Sequence, residues 1–435
     1  MPQRLQTSAP DFKASFEALL AQKRESSADV DTAVREIIAS VRARGDAALV
    51  EFSARFDQVD LGKVGLRVTA DDVSAAVAAC SQETLAALAF AHERIIAHHR
   101  RQLPVSDSYT DDAGVELGTR WTAVQSAGLY VPGGLASYPS SVLMNALPAL
   151  VAGVPRVVMV VPAPRGEINP LVLAAARLAG VHEIYRVGGA QGIAALAYGT
   201  QTIAPVVKIV GPGNAYVAAA KRQVFGHVGI DSVAGPSEVL IIADANNNAE
   251  WIAADLLAQA EHDPAAQSIL MTDSATFAAA VEAAVIRQLR GLTRGRIAAA
   301  SWNEFGASII MNSLEEAPAL ADQIAAEHLQ ICTPEPERLA AQIRNAGAIF
   351  LGAQTPEAIG DYVSGSNHVL PTARSARFSS GLGTLDFMKR TSILRLDAAA
   401  LAVLGPAAMT LARAEGLEAH RASIALRLGT KAGPA

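Results

Sequence analysis

The fold is decided by three segments: RVVMVVPAP (156–164), EIYRVGGAQGIAALAYGT (183–200) and VVKIVGPGN (206–214). The first segment is a dense run of β-branched residues, and an apolar helical stretch (170–178) separates it from the second. The second and third segments each run from a strand pattern into glycines. Strands that alternate with helices predict a parallel sheet with helices on both faces.

A second alternating block follows the first. Its strand candidates are EVLIIAD (238–244), SILMTD (268–273), SIIMN (308–312), LQICT (329–333) and AIFLG (348–352). We therefore predict two α/β units. The first hundred residues have helical spacing, apart from a short strand candidate at 65–70, and helices return over 398–428 with a break at Gly416.

The bulk properties are those of a globular chain of 435 residues with a net charge of -6. A mildly acidic chain without a run of basic residues lacks the basic patch that binds nucleic acid, so we expect no such partner. Cys80 and Cys332 are far apart, which favours buried thiols in a reducing cytoplasm over a disulfide or a cysteine zinc site. No signal peptide is visible, and the most apolar stretch (146–164) contains Arg156 and prolines, so we expect no membrane span.

Glycines at two strand-to-helix turns, 188–192 and 211–214, form a candidate phosphate site. Backbone N–H groups can approach a phosphate there, and a helix N-terminus favours its charge. No G-x-G-x-x-G occurs, however, because Tyr216 stands where the third glycine belongs, so both segments could also be ordinary tight turns. The loop YVPGG (130–134) is a further surface for a ring or a ribose.

Gln259 and His262 form a candidate metal pair because they lie three residues apart on a predicted helix and share one face. Asp361 in a loop and the distant His420 could complete a mixed nitrogen and oxygen set. Such a set suits a divalent ion that keeps positions free for a substrate. An ordinary polar helix face would explain the pair as simply, so the residues alone leave both interpretations open.

Longer motifs resemble the histidinol dehydrogenase family from about residue 30 to residue 425. In order, they are SYPSSVLMNALPA (137–149), VGGAQGIAALAYGT (187–200), KIVGPGNAYVAAAK (208–221), DSVAGPSEVLIIAD (231–244), LLAQAEHDP (256–264), AAEHLQ (325–330) and SGSNHVLPTARSARFSSGLGTLDFMKR (364–390). The pair Glu415 and His420 fits the family too. These motifs are long and unusual in composition, so chance agreement is negligible.

The resemblance implies a zinc-dependent, NAD-linked enzyme that oxidises L-histidinol to L-histidine through L-histidinaldehyde. By the same resemblance, zinc is expected to hold the substrate's imidazole and amine rather than to polarise its alcohol. The implied zinc ligands are Gln259, His262, Asp361 and His420. The implied acid–base pair is Glu327 and His328, the further substrate contacts are Ser237, His368 and Glu415, and the cofactor contacts are Tyr130, Gln191 and Asn214.

The resemblance also implies two incomplete Rossmann-like units and a homodimer that exchanges its C-terminal helices. Glu415 and His420 would then come from the partner chain. We expect three parts: a zinc and substrate-side α/β domain with a helical N-terminal part (1–120 plus 238–380), an NAD-side Rossmann-like domain (121–237) and a helical dimerisation tail (381–435).

Glu327 and His328, which match the acid–base pair, suit the chemistry of the two oxidations. Oxidising an alcohol requires a base for the hydroxyl proton, and a neutral histidine such as His328, with a pKa near ~6.5, can accept it. Oxidising the aldehyde requires water to add first, and Glu327 can take that proton. We expect both residues at the end of a helix, where adjacent side chains diverge by about 100° and so serve different steps.

Three other interpretations compete with this one. A related dehydrogenase could oxidise another small alcohol such as sulfopropanediol, but His368 and Glu415 match contacts for imidazole and amine. A zinc hydrolase would use the metal and an adjacent glutamate, but the glycine-rich segments would then be unexplained. An inactive relative would not be expected to keep every site residue.

Overall fold

The structure is a computed structural model that describes residues 2–22, 28–133 and 138–430. Gly134 and Ser137, which belong to two of the motifs quoted above, lie outside the described residues, as does the end of the predicted tail (431–435).

Strands and helices alternate through most of the chain. The strands are β1 (Gln3–Gln6), β2 (Asp107–Thr110), β3 (Glu116–Ala123), β4 (Ala127–Tyr130), β5 (Val157–Val161), β6 (Glu183–Arg186), β7 (Lys208–Val210), β8 (Gly229–Ile230), β9 (Glu238–Ala243), β10 (Gln267–Thr272), β11 (Ala307–Ile310), β12 (His328–Cys332), β13 (Ala348–Leu351) and β14 (Met388–Arg395). The helices are α1 (Phe12–Leu20), α2 (Ala28–Arg44), α3 (Asp46–Phe56), α4 (Leu61–Val64), α5 (Ala70–Ala79), α6 (Gln82–Arg100), α7 (Pro139–Val151), α8 (Pro170–Leu178), α9 (Gly189–Tyr198), α10 (Ala215–Val224), α11 (Ala249–Ala260), α12 (Ala275–Gln288), α13 (Gly295–Phe305), α14 (Ala317–Ile324), α15 (Pro336–Ala340), α16 (Ala358–Tyr362), α17 (Ala398–Ala414) and α18 (Glu418–Arg427).

A six-stranded parallel sheet has the order β1-β11-β10-β9-β12-β13. Because side chains alternate along a strand, Leu240 and Ile242 of β9 enter one core and Val239 and Ile241 enter another. Residues of α1, α14 and α15 complete the first core, and residues of α11, α12 and α13 complete the second. Helices therefore cover both faces, as the alternating pattern predicted.

A five-stranded parallel sheet has the order β6-β5-β4-β7-β8. The chain builds outward from β4 through β5 and β6, and then returns to add β7 and β8 on the other side. The boundary between β4 and β7 is therefore a topological switch point, the place where open α/β sheets bind ligands at the carboxyl ends of their strands. The two parallel sheets confirm the predicted α/β fold class.

The N-terminal helices pack differently from the expected grouping of 1–120 with 238–380. Only β1 and α1 join the six-stranded sheet, whereas α2 and α3 share the core of the five-stranded sheet. Their apolar residues, such as Val34 and Leu49, lie against α9 and α10 and are fully buried. The strand candidate at 65–70 is reduced to an isolated bridge between Arg67 and Tyr185. The domain boundaries themselves remain predictions.

A separate compact unit comprises residues 103–124 and 388–435, whereas residues 1–102 and 125–387 form the other unit. Within the first-named unit, β14 pairs antiparallel with β3, and β3 pairs with β2. Helices α17 and α18 confirm the predicted helices and their break at Gly416. The strand β14 was not predicted in the irregular stretch, because its partner β3 lies far away in sequence.

None of the helices in the described residues is, by itself, long and apolar enough to cross a membrane. The pair α5 and α6, bent by 113°, meets the length and composition requirements only when the two helices are taken together.

Candidate active site

The acid–base residues lie at the amino edge of the six-stranded sheet. Glu238 is the first residue of β9 and His328 the first of β12, and the register places His328 beside Val239. The expected helix end at residues 326–328 is wrong: α14 ends at Ile324, and Ala325 adopts a left-handed conformation (φ 50°) that turns the chain into β12. This conformation breaks the helix before the pair is reached.

His328 is held in one tautomer by the backbone of the neighbouring strand. Its Nδ1 lies 3.1 Å from the carbonyl oxygen of Glu238, which can only accept a hydrogen bond. Nδ1 therefore carries the proton, and Nε2 keeps a lone pair in the neutral ring. Nε2 lies 3.8 Å from Oδ1 of Asp361. Burial lowers the pKa of His328 below its ordinary value, so the ring is neutral and can accept a proton at physiological pH.

Two buried carboxyl groups flank the other side of this imidazole. Oε2 of Glu327 lies 3.7 Å and Oε2 of Glu357 lies 3.8 Å from Nδ1 of His328. Glu327 accepts hydrogen bonds from the backbone N–H of Glu238 (2.9 Å) and from the hydroxyl of Ser237. Burial raises the pKa of both Glu327 and Glu357 well above the ordinary value. Each carboxyl group therefore holds its proton more tightly than it would in water.

Glu357 is a site residue that the sequence reasoning missed. Its Oε2 is buried without a hydrogen-bond partner among the described residues, and it faces His328. A signal existed, because Glu357 precedes Asp361 by four residues and a helical turn places such residues on one face. The structure forms that turn as α16.

The proposed metal pair also lies in this cluster. Nε2 of Gln259 is 3.1 Å from Nδ1 of His262, and His262 is close enough to interact electrostatically with both His328 and His368. Gln259 is fully buried and its Oε1 has no hydrogen-bond partner in the described chain. A buried amide oxygen without a partner is costly unless something fills its lone pairs.

His368 links this cluster to a helix of the five-stranded sheet. Its Nδ1 lies 3.0 Å from the carbonyl oxygen of Asp361, and its Nε2 lies 3.2 Å from Oγ of Ser141 on α7. Burial lowers the pKa of His368. Ser141 lies within a quoted motif but was not predicted as a site residue, since nothing in the spacing of the chain links it to residue 368.

The predicted zinc ligands do not form a complete metal cage by themselves. In residues 2–22, 28–133 and 138–430, no group of three or more His, Cys, Asp or Glu residues is arranged to hold a metal ion. Gln259, His262 and Asp361 nevertheless offer an unpaired amide oxygen, an imidazole and a carboxylate, which suit zinc. Glu415 and His420 are exposed residues of the other compact unit, and their place in the site remains a prediction.

The predicted cofactor residues surround the switch point of the five-stranded sheet. Tyr130 is the last residue of β4, and its buried hydroxyl accepts a hydrogen bond from the backbone N–H of Gly189 (3.1 Å). Burial raises the pKa of Tyr130 to about 12, so the phenol stays neutral. Gln191 is buried in α9, and the side chain of Asn214 caps α10 by accepting hydrogen bonds from two backbone N–H groups.

The connection from β7 to α10 needs a glycine at position 211. Its φ of +112° is disfavoured for other residues, and a Cβ atom at this position would overlap the carbonyl oxygen of Tyr130. The backbone that follows β7 therefore passes directly over the end of β4. A close backbone approach without a side chain is the kind of surface that can receive a dinucleotide.

An acid–base cluster next to a sheet with a glycine-lined switch point is the arrangement of an α/β oxidoreductase. The family model for histidinol dehydrogenase matches residues 20–428. The chain therefore belongs to the histidinol dehydrogenase family and is an oxidoreductase of histidine biosynthesis.

Individual relatives agree with this assignment. The chain is 68% identical to histidinol dehydrogenase of Bradyrhizobium diazoefficiens over 428 residues, covering 98% of this chain and 99% of the relative. It is 65% identical to histidinol dehydrogenase of Rhodopseudomonas palustris over 431 residues, covering 99% and 100% of the two chains. The crystal structure of histidinol dehydrogenase from Elizabethkingia anophelis has a TM-score of 0.94 and 34% identity, covering 98% of each chain.

Proposed function

We propose that this chain oxidises L-histidinol to L-histidine through L-histidinaldehyde, using two molecules of NAD⁺ and one zinc ion per subunit. The relatives named above carry the name of this activity. The observation that carries the proposal is the neutral, tautomerically fixed His328, whose Nδ1 lies near the carboxyl groups of Glu327 and Glu357. That arrangement is suited to repeated proton transfer at one carbon atom.

When bound, NAD⁺ accepts the hydride of each oxidation, and zinc orients the imidazole and the amine of the substrate. Gln259, His262, Asp361 and His420 would hold the zinc ion. Ser237, His368 and Glu415 would contact the substrate, and Tyr130, Gln191 and Asn214 would contact the cofactor. Orientation of this kind supplies on the order of 7–11 kcal/mol of a reaction barrier.

In the first oxidation, Nε2 of His328 takes the proton of the alcohol. The C–H electron pair leaves the same carbon as hydride, and the C=O bond of the aldehyde forms. The hydrogen bond from Nδ1 to the carbonyl of Glu238 keeps the ring in place while it becomes charged. Glu327 and Glu357, when ionised, stabilise the imidazolium across 3.7 and 3.8 Å.

In the second oxidation, Glu327 takes a proton from water as the water oxygen adds to the aldehyde carbon. The protonated His328 returns its proton to the carbonyl oxygen, which gives the diol. The diol then loses a hydride and a proton as the alcohol did, and the product is the carboxylic acid. A raised pKa suits Glu327 to this role, because the ionised group is a stronger base than an exposed carboxylate.

The proposal includes a homodimer in which each chain lends its C-terminal helices to its partner, and a cytoplasmic setting. Both come from the family resemblance. Exposure of Glu415 and His420 in the single chain is compatible with their service in a second subunit.

The test is histidinol-dependent reduction of NAD⁺, followed by absorbance, with the zinc content of the same sample measured before and after chelation. We expect turnover with L-histidinol, loss of turnover when zinc is removed, and recovery when zinc is restored. Sulfopropanediol serves as the competing substrate. Turnover of sulfopropanediol in preference to histidinol, or full activity without metal, would overturn the proposal.

A further inference from the structure

Gly211, which crosses the end of β4, is held at both of its backbone groups by charged side chains. Lys221 lies ten residues later in α10, and its Nζ donates a hydrogen bond to the carbonyl oxygen of Gly211 (2.9 Å). Asp231 follows β8, and its Oδ2 accepts a hydrogen bond from the backbone N–H of Gly211 (2.8 Å). One glycine therefore makes two charge-assisted hydrogen bonds, accepting one from Lys221 and donating the other to Asp231.

Lys221 and Asp231 also form an ion pair with each other, and their side chains are only 1% and 5% exposed. Burying two charges costs several kcal/mol per ion, so a pair of this kind is seldom the best way to stabilise a core. Apolar residues of similar volume usually stabilise a fold as well or better. The cost therefore points to a role beyond general stability.

The ion pair contacts a position where the backbone is intrinsically flexible. Gly211 has a φ of +112°, but a residue without a Cβ can also take many other conformations. The two hydrogen bonds reduce that freedom and keep Gly211 against Tyr130. They also fix the start of the segment 211–214, which ends at Asn214, the cap of α10.

We infer that Lys221 and Asp231 are positioning residues for the dinucleotide, because they lock the segment 211–214 in the conformation that receives it. This inference rests on the proposed function. Because both side chains are almost fully buried and bond to the backbone of Gly211, the pair acts through that backbone and does not itself contact the cofactor. A pre-organised loop binds without a cost for ordering, so loss of the pair weakens cofactor affinity.

The experiment compares Asp231→Asn, Asp231→Ala and the double variant Lys221→Met/Asp231→Asn with the wild type. Asparagine keeps an acceptor for the N–H of Gly211, whereas alanine removes it. We expect the Kd and KM for NAD⁺ to rise by about tenfold or more in Asp231→Ala, and by less in the double variant. The kcat at saturating NAD⁺ and the KM for histidinol should stay within about twofold of the wild type.

The matched control is the ion pair of Arg156 and Glu183, at the opposite, amino edge of the same sheet (2.8 Å). The double variant Arg156→Met/Glu183→Gln should lower the melting temperature and leave the KM for NAD⁺ unchanged. If cofactor affinity falls in proportion to the melting temperature in both the Lys221/Asp231 variants and the control variant, the pair has only a structural role. That result would overturn the inference.

The remaining outcomes separate the two claims. If the wild type oxidises histidinol but all three variants bind NAD⁺ like the wild type, the inference alone is wrong. If the wild type binds NAD⁺ but does not oxidise histidinol, the proposed substrate is wrong, and the Kd values still test the pair. A wild type that binds no NAD⁺ overturns both. Should Asp231→Ala fail to fold, Asp231→Asn and the double variant provide the measurement.

Discussion

The same burial gives neighbouring residues opposite shifts in pKa. It lowers the pKa of His328 and raises that of Glu327, because burial disfavours the charged form of each group. Neutral His328 can act as a base, and the raised pKa of Glu327 lies closer to the pH at which enzymes work. The division of the two steps between these residues can be tested by substitution.

We predict that His328→Asn stalls the alcohol oxidation and that Glu327→Gln mainly stalls the aldehyde oxidation, each by about 10²–10⁴-fold. Asparagine cannot accept the hydroxyl proton, and glutamine cannot accept a proton from water. The half-reactions are measured separately with histidinol and with histidinaldehyde. The exposed His182→Asn serves as the control and should keep full activity. Equal losses in both half-reactions for both variants would refute the division of roles.

Glu357 gives a prediction about pH and stability. Its pKa is raised in the folded state, so its contribution to stability is fully present below the unfolded pKa and is lost as the pH rises through the folded pKa. Glu357→Gln removes this titration. We therefore compare the melting temperature of Glu357→Gln with that of the wild type at two pH values. The difference, variant minus wild type, should be larger at about pH 8 than at about pH 5.

The control for Glu357→Gln is Glu304→Gln, at an exposed position, which should shift the melting temperature little at either pH. A difference between wild type and Glu357→Gln that does not change with pH would show that the carboxyl group is not shifted.

At the scale of the element, the ends of strands and helices decide where the site residues point. Sequence patterns predicted β9 to β13 and most helices, since local periodicity reflects which face is buried. They misplaced Glu327 and His328, because the left-handed turn at Ala325 has no signature in an alanine-rich segment. They also missed β14, because a strand that pairs with distant β3 depends on tertiary contact.

The connection between β7 and α10 can be tested with a pair of glycines. We predict that Gly211→Ala costs more stability than Gly226→Ala and also weakens NAD⁺ binding. Both glycines have positive φ, +112° and +98°, and such conformations cost other residues about 1–2 kcal/mol. Only at Gly211 does the added Cβ overlap another backbone, that of Tyr130, since nothing lies within 4 Å at Gly226.

Thermal unfolding and NAD⁺ titration of both variants provide the measurement. If Gly226→Ala matches Gly211→Ala in both stability and cofactor affinity, the close approach to Tyr130 has no role in binding.

At the scale of the whole molecule, the proposed dimer with exchanged C-terminal helices predicts complementation between inactive variants. One chain carries His328→Asn and the other carries His420→Ala. If each His420 serves the partner's site, a mixed dimer contains one site with both defects and one site with neither. The isolated mixed dimer then has about half of wild-type activity, and a randomly assembled mixture has about a quarter.

Co-expression with two different purification tags isolates the mixed dimer, and its turnover is compared with that of each homodimer. If His420 served its own chain, every site in the mixed dimer would carry one defect. Mixed dimers as inactive as the two parent variants would therefore contradict the exchange.

The sequence by itself determined the α/β class, the order of most strands and the family, because these depend on local periodicity and on long motifs such as DSVAGPSEVLIIAD (231–244). It also singled out Glu327, His328 and His368 from the resemblance. Only the tertiary structure decided that Glu357 faces His328, that Ser141 meets His368, and that Lys221 and Asp231 hold Gly211. Such contacts and the pKa shifts that burial causes arise when distant segments converge, and no local pattern in a chain records that convergence.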